Sequence, residues 1–317
     1  MTGYPQVAGP DPEQEPVLGE LLRSLRARHH DAPCAVLVYG SCLRSGDIYD
    51  GLLDLYLVCD SYRGAYRRWL PAAANWLLPP NVFYAEQTGQ DAAGATRTLR
   101  AKVTLISRRD FRRGCSPAWF ESYLWGRFAQ PTHLLYTRDA AARAETEAAL
   151  LQAAHTLLQR ALPALPTGGT LDDLWEQALG LSYATELRTE RSGRAGELVR
   201  SAHDFYAAVT RRHAGSLGHG FQLLDASGPL SYRSSPSPTR RRLAGLQWAL
   251  RRLQGKLLSI MRLLKGLFTF EGGLDYIAWK LERHSGERIE IPEKVRRAPL
   301  IHLWAFFWGL YRRGIFK

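Results

Sequence analysis

The residues best suited to chemistry in this chain are a Gly-Ser pair after one apolar run and an aspartate inside the next. Gly40-Ser41 follows CAVLVY, and Asp54 comes thirteen residues after Ser41, within LLDLYLVCD. A glycine turn after a strand lets backbone N–H groups and a hydroxyl approach phosphate oxygens closely. An aspartate on the neighbouring strand can hold Mg²⁺ against the same phosphates. The spacing therefore predicts a site for a nucleoside triphosphate and magnesium.

Both parts of this pattern also have simpler interpretations. A Gly-Ser pair is common in structural turns, and Asp54 could be a strand acid paired with an arginine. An acid within so apolar a run is costly to bury without a purpose, which favours a functional role. The pattern departs from the Asp-x-Asp strand of the nucleotidyltransferase superfamily, because Tyr56 stands where the second acid would be.

Five segments of the chain, in order, resemble the mitochondrial-type phosphatidate cytidylyltransferases, the CDP-diacylglycerol synthases of the translocator-maintenance family. A single aspartate followed by an aromatic residue is the form found in that family, so Tyr56 agrees with it. The chain has no mitochondrial presequence and resembles a bacterial relative, and its ERHSGERIEIPEK segment has no counterpart in the family. The matching segments are YGSCLRSGDIYDGLLDLYLVCD, RAKVTLIS at 100–107, WGRFAQPTHLLY at 125–136, LWEQALGLSYATELR at 174–188 and SIMRLLKGLFTF at 259–270.

The resemblance implies transfer of CMP from CTP to phosphatidic acid with Mg²⁺ as cofactor, giving CDP-diacylglycerol and pyrophosphate. It implies that Asp54 and Lys102 are catalytic, and Lys102 is the only lysine before Lys256. Asp54 would bind the metal, supplemented by Asp60, or by Asp47 or Asp50 from the loop before its strand. The nucleotide-binding residues implied are Tyr39, Gly40, Ser41, Arg127, Ser182, Tyr183 and Arg188. For each of these residues, an ordinary structural role is the alternative.

The order of apolar and helical segments predicts an α+β fold. We expect a nucleotidyltransferase-type mixed sheet with flanking helices, a second mostly helical domain and a basic helical C-terminal extension. The four cysteines show no metal-binding or redox spacing and are expected to be buried and reduced. The predicted divisions are a disordered leader (1–16), a nucleotidyltransferase domain (17–140), a helical or winged-helix-like domain (141–226), a Ser/Pro-rich linker (227–239) and a basic region (240–317).

Most of the net charge of +12 lies in the last quarter of the chain, where residues 240–317 hold 17 Lys and Arg against 6 Asp and Glu. A leucine stripe at helical spacing runs from Leu246 to Leu267, with cations beside it. Cations beside an apolar stripe and aromatic residues near the C-terminus are typical of interfacial membrane anchors. The residues predicted to contact an anionic membrane are Lys256, Arg262, Lys265, Trp304, Phe307, Trp308, Arg312 and Arg313.

We therefore expect a cytoplasmic protein, peripheral on the inner face of the cell membrane, since no targeting segment or spanning apolar run is present. The same aromatic residues could instead pack in the core or in a homodimer. Nucleic acid is not an expected partner, because the aromatic residues form an apolar run and do not alternate with the cations. Two other functions remain open: transfer to another lipid or head-group phosphate, and a non-catalytic membrane or RNA-binding module of the same fold.

Overall fold

The computed structural model describes residues 3–187, 193–224, 229–269 and 291–297, together with His302 and Trp308. The described residues contain a five-stranded mixed sheet in the order β3-β4-β2-β1-β5. Strand β1 is antiparallel to β2 and β5, whereas β4 is parallel to β2 and antiparallel to β3. The strands are β1 (Pro33–Tyr39), β2 (Leu53–Cys59), β3 (Asn81–Gln90), β4 (Thr96–Ser107) and β5 (His133–Thr137).

Helices cover both faces of this sheet, which explains why β1 and β2 are apolar runs without alternation. One face, with Leu37 and Tyr56, packs against α6 (Tyr123–Phe128) and α7 (Ala140–Ala161). The other face, with Val38 and Leu55, packs against α1 (Pro16–Arg28). The predicted α+β class, with a mixed sheet and flanking helices, is confirmed, and this arrangement is consistent with a nucleotidyltransferase-like fold.

The described residues that follow β5 are mostly helical and include a small three-stranded sheet in the order β6-β8-β7. The helices not yet named are α2 (Ser41–Ser45), α3 (Tyr62–Ala65), α4 (Trp69–Leu77), α5 (Arg108–Gly114), α8 (Leu171–Tyr183), α9 (Arg194–Ser201), α10 (His203–His213), α11 (Pro238–Thr269) and a short helix at Glu293–Arg297. The short strands are β6 (Gly168–Thr170), β7 (Gln222–Leu224) and β8 (Ser231–Arg233), and 3-10 turns occupy Leu162–Ala164 and Ala214–Ser216.

The N-terminal segment differs from the predicted disordered leader, because its described residues pack onto the body. Tyr4 is buried with its ring edge-on to Phe205, at 5.6 Å between centroids. Its hydroxyl accepts a hydrogen bond from the Thr132 backbone N–H at 3.1 Å. The prolines and acids of this segment gave no periodic pattern, so only the long-range contact reveals its order.

The Ser/Pro-rich stretch predicted as a linker is also partly structured. Residues 231–233 form β8, the central strand of the small sheet, and Tyr232 is buried. Strand β6 of this sheet ends at Thr170, which caps α8 through a reciprocal capping box with Asp173. Such a box satisfies two backbone N–H groups at the start of the helix. The stretch therefore helps to fix the position of α8 and does not only connect two units.

Replacing Tyr4 with alanine should lower the free energy of unfolding by roughly 3 kcal/mol, because it removes a buried aromatic ring. Tyr4→Phe should cost about 1 kcal/mol, since it keeps the ring but removes the acceptor for the Thr132 N–H. Gln6→Ala, at an exposed position nearby, is the matched control. Urea titration measures all three variants, and equal stability of Tyr4→Ala and Gln6→Ala would support the disordered leader instead.

Candidate functional site

The turn after β1 and the start of β2 lie together at one edge of the sheet. Tyr39 and Asp54 are partners across the antiparallel pair, so Gly40 immediately follows the residue opposite Asp54. Gly40 has a φ of +93°, and a Cβ atom there would lie 2.9 Å from Oδ2 of Asp54. Glycine is thus favoured by its backbone conformation and by the close approach of the carboxylate. Ser41 follows as the exposed first residue of α2.

Lys102 is brought to the same place by the pairing of β2 with β4. It is the parallel register partner of Asp54, and its Nζ lies 3.9 Å from Oδ1 of the carboxylate. The two side chains are 36% and 28% exposed. An ion pair this long and this solvated contributes little to stability. Because both side chains are partly exposed, both charged groups are accessible to a ligand.

Arg127 fixes the position of the turn from the face of the sheet that α6 covers. This arginine of α6 is buried and donates a hydrogen bond to the Tyr39 hydroxyl at 2.6 Å. It also forms an ion pair with Glu186 at 3.1 Å, just after α8. Burial opposes the charge, but Tyr39, Tyr123 and Glu186 raise the pKa of the Arg127 guanidinium well above its usual value. Arg127, which was predicted to bind the nucleotide, is therefore bound to other residues of the protein. Its role is to position Tyr39, the neighbour of Gly40.

Tyr123 occupies the centre of a group of cations and was not singled out from the sequence. Its ring centroid lies 4.6 Å from the Arg127 guanidinium carbon and 4.3 Å from that of Arg262. Burial acts to raise the Tyr123 pKa, but Arg127, Arg262 and Lys102 outweigh it and lower the pKa. Its hydroxyl accepts a long hydrogen bond, 3.5 Å, from Tyr56. The available sequence signal was the i, i+4 spacing of Tyr123 and Arg127, which places them on one helix face.

Arg262 and Lys265 differ from their predicted place on a membrane-facing side of α11, because both turn toward the protein. Arg262 donates two hydrogen bonds to Glu121, at 2.6 and 2.7 Å. Lys265 donates to the backbone carbonyls of Leu78 and Pro80. Burial lowers the pKa of Lys265 to about 7. These carbonyl and carboxylate partners satisfy the cations, and that is why they face inward.

The remaining members of the predicted membrane group have different outcomes. Lys256 and Trp308 are exposed. Trp304, Phe307, Arg312 and Arg313 lie outside the described residues, as does Arg188 of the predicted nucleotide site.

Asp60 cannot share a metal ion with Asp54, contrary to the prediction. The two acids lie at opposite ends of β2, about 20 Å apart at the usual rise of a strand. Asp60 pairs instead with Arg138 at 2.6 Å and Arg108 at 3.3 Å. The hydrogen bond from Arg138 is the main reason that the pKa of Asp60 is lowered.

The two α8 residues predicted to bind nucleotide take part in packing. Ser182 is 1% exposed and lies directly against Gly126 of α6, where no side chain larger than hydrogen would fit. Tyr183 is partly buried against the main core. Gly126 therefore allows α6 and α8 to approach closely at Ser182, which in turn places Glu186 next to Arg127.

Asp54 suits magnesium as a single protein ligand. Mg²⁺ keeps several waters and is commonly held by one or two carboxylates together with substrate phosphates. Among the described residues, no three His, Cys, Asp or Glu side chains form a metal-binding group. Asp47 accepts hydrogen bonds from the backbone N–H groups of Tyr49 and Asp50, and so orders its own loop. Asp54 is therefore the residue that would hold the metal at this turn.

A scan against models of protein families finds no match to this chain, and no curated protein matches it. The resemblance to phosphatidate cytidylyltransferases thus remains a prediction from the five sequence segments. In the part of the chain that the structure describes, no helix is both long and apolar enough to cross a bilayer.

Replacing Lys265 with methionine should reduce the pH dependence of stability above neutrality. An unfolded lysine holds its proton up to about pH 10.5, whereas folded Lys265 releases it near pH 7. Between these values the unfolded chain binds more protons, so this lysine makes the free energy of unfolding rise with pH, by up to about 1.4 kcal/mol per unit. Urea titrations at several pH values between 7 and 9 measure the difference between wild type and variant.

Lys256→Met is the matched control for that experiment, because Lys256 lies on the same helix and is exposed. Its stability difference from wild type should stay constant over the same pH range. A constant difference for Lys265→Met as well would show that Lys265 is not held in a desolvated site.

Proposed function

We propose that this protein is a Mg²⁺-dependent cytidylyltransferase that transfers CMP from CTP to a lipid phosphate, giving a CDP-linked lipid and pyrophosphate. The observation that carries the proposal is the convergence of Gly40, Asp54 and Lys102 at one edge of the sheet. The turn, the carboxylate and the ammonium group are each exposed enough to meet a triphosphate. Phosphatidic acid is the acceptor, and CTP the donor, that the sequence resemblance implies.

The proposed reaction needs positioning and charge stabilisation and no covalent enzyme intermediate. A phosphate oxygen of the lipid bonds to the α-phosphorus of CTP. The bond from that phosphorus to the bridging oxygen breaks, and its electron pair leaves with pyrophosphate. Bound Mg²⁺ would neutralise phosphate charge and act as a Lewis acid. Lys102 would place a compact positive charge beside the same phosphates.

The surroundings of Tyr123 support an anionic substrate. Arg127 and Arg262 flank its ring, and Lys102 is a third cation close enough to lower its pKa. Arg127 and Arg262 are paired with Glu186 and Glu121, so the positive charge that would meet an anionic ligand is the partly exposed ammonium group of Lys102. The acceptor and the donor in the proposed reaction are both phosphates.

An anionic membrane surface is part of the proposal, because a lipid phosphate stays in its bilayer. We place the protein peripherally on the inner face of the cell membrane. Exposed Lys256 and Trp308 support this location, whereas the inward-facing Arg262 and Lys265 do not contribute to it. Exposed apolar side chains on α4 and α11 supply a further surface.

Asp54→Asn should lower turnover at least about 100-fold, because it removes the metal-binding charge while preserving shape. Asp31→Asn is the matched control, since it removes an exposed acid that precedes β1, at the end of that strand away from Gly40, and should leave turnover close to wild type. Pyrophosphate release is measured with Mg²⁺ and each of the four NTPs, with and without phosphatidic acid in mixed micelles.

The pattern of release separates the alternatives. Release only with CTP and phosphatidic acid, lost in Asp54→Asn, supports the proposal. CTP binding without release on phosphatidic acid indicates another phosphate acceptor. Absence of both binding and release with every nucleotide would favour the non-catalytic module.

Gly40→Ala should also abolish turnover, for a steric reason. An alanine there would require a rare positive φ and would press against Oδ2 of Asp54. Gly94→Ala is the matched control, because Gly94 has a φ of +81° but no atom within 4 Å of the place a Cβ would take. Both variants should lose about 1 kcal/mol of stability from backbone strain, and only Gly40→Ala should lose activity. Equal activity of the two variants would show that Gly40 is not part of the site.

A further inference from the structure

Helix α4 exposes far more apolar surface than a solvated helix needs. Trp69, Trp76 and Leu77 are 78%, 70% and 77% exposed, and Leu70 is exposed beside them. The helix follows Arg67 and Arg68 and contains no acid. Grouped exposed apolar residues with cations at their border usually mark an interaction surface.

Helix α11 also exposes a row of aliphatic side chains, while three of its cations face inward. Its inward face carries Trp248, Arg251, Arg262 and Lys265. Its outward face carries six aliphatic residues that are between 46% and 70% exposed. Like α4, it contains no acid. The outward residues are Leu243, Leu246, Leu250, Leu253, Leu257 and Ile260.

An open cleft of about 1120 Å³ lies between these two helices. Its walls include Ala73 and Trp76 from α4, Leu258 from α11, and Phe120. Sites for small molecules usually enclose about 300–1,000 Å³, so this cleft is large enough for a bulky ligand. Trp69 and Trp76 of α4 line the cleft, and the outward-facing Leu253 and Leu257 of α11 each precede a lining residue, Gln254 or Leu258.

The charges of the cleft favour an anionic ligand. Arg63, Arg109 and Arg113 lie along it and are exposed. Its acids are engaged in the protein: Asp60 with two arginines, Asp110 with the Tyr62 hydroxyl, and Glu121 with Arg262.

The cleft is also connected to the candidate site. Arg262 lines it and stacks on Tyr123, whose pKa is lowered by Arg262 and Lys102 together. The Tyr123 hydroxyl also accepts the hydrogen bond from Tyr56, two residues along β2 from Asp54, so the ring links the cleft to the strand that carries the carboxylate. A ligand with apolar chains in the cleft could place a phosphate near Lys102.

We propose that the cleft between α4 and α11 binds the acyl chains of an anionic phospholipid, while its rims rest in the bilayer interface. The role of this lipid as acceptor rests on the proposed function. Apolar walls, cationic borders and tryptophans at the rim match the parts of a phospholipid in the interface. A second copy of the chain, paired through the outward leucines, would cover α11 but would leave the α4 tryptophans and the cleft unexplained.

Photo-crosslinking tests this site without relying on turnover. The full-length protein is mixed with phosphatidylcholine vesicles that contain phosphatidic acid with a photoreactive group on one acyl chain. Labelling is mapped by peptide mass spectrometry in the absence of nucleotide. The expected adducts lie within Trp69–Leu77 and in the segment 250–262. Adducts confined to other segments would overturn the proposal.

Ala73→Trp should reduce this labelling at least about fivefold, because the indole fills the cleft from an exposed helix position. Ala74→Trp is the matched control, since Ala74 is on the same helix but lines a separate cleft with Lys265. It should label as wild type does. Equal labelling of the two variants would overturn the assignment of the cleft.

Failure of the proposed function and failure of this inference are distinguishable. Labelling of the cleft in a protein that binds no nucleotide would uphold the lipid site and remove the cytidylyltransferase. Turnover on phosphatidic acid with labelling only outside the cleft would uphold the cytidylyltransferase and overturn the lipid site. A dimer in analytical ultracentrifugation without lipid, dissociated by Leu253→Glu and unlabelled in the cleft, would assign the outward face to a second copy and overturn the inference.

Discussion

A buried guanidinium joins the sheet to the helical half of this protein. Arg127 sits beneath the sheet edge, bound to Tyr39 on one side and Glu186 on the other. A buried charge without partners costs several kcal/mol, so these two contacts are required once α6 packs against the sheet. The aromatic rings of Tyr39 and Tyr123 add cation–π contacts to the same group. The turn at Gly40 is therefore tied to the helices that close over that face of the sheet.

The C-terminal helix depends on the same kind of interaction. Arg251 is buried beneath the rings of Phe120, Trp125 and Trp248, and burial lowers its pKa to about 10. Farther along, Arg262 is held by Glu121. Three cations of α11, Arg251, Arg262 and Lys265, thus face the body, whereas Arg252 and Lys256 are exposed. The outer surface of this basic helix therefore combines exposed aliphatic side chains with exposed cations.

The contacts of Arg127 and Arg262 with Tyr123 also connect the candidate site to the cleft between α4 and α11. Tyr123 lies between Arg127 and Arg262, so the group beneath the turn and the group beneath α11 share one aromatic ring. A rigid polar network of this kind can hold the candidate site and the cleft in a fixed relation. In the proposed reaction, that relation matters because a lipid phosphate and a nucleotide must meet at one carboxylate.

Local sequence patterns were enough to predict the α+β class, the buried strands around CAVLVY and LLDLYLVC, and the turn at Gly40 that follows the first of them. These features depend on local composition and period, which a single segment contains in full. The tertiary structure alone decided that Lys102 stands beside Asp54 and that Asp60 does not. It also ordered Tyr4 and turned Arg262 inward. Each of these outcomes depends on strand register or on contacts between distant segments, and no local pattern encodes them.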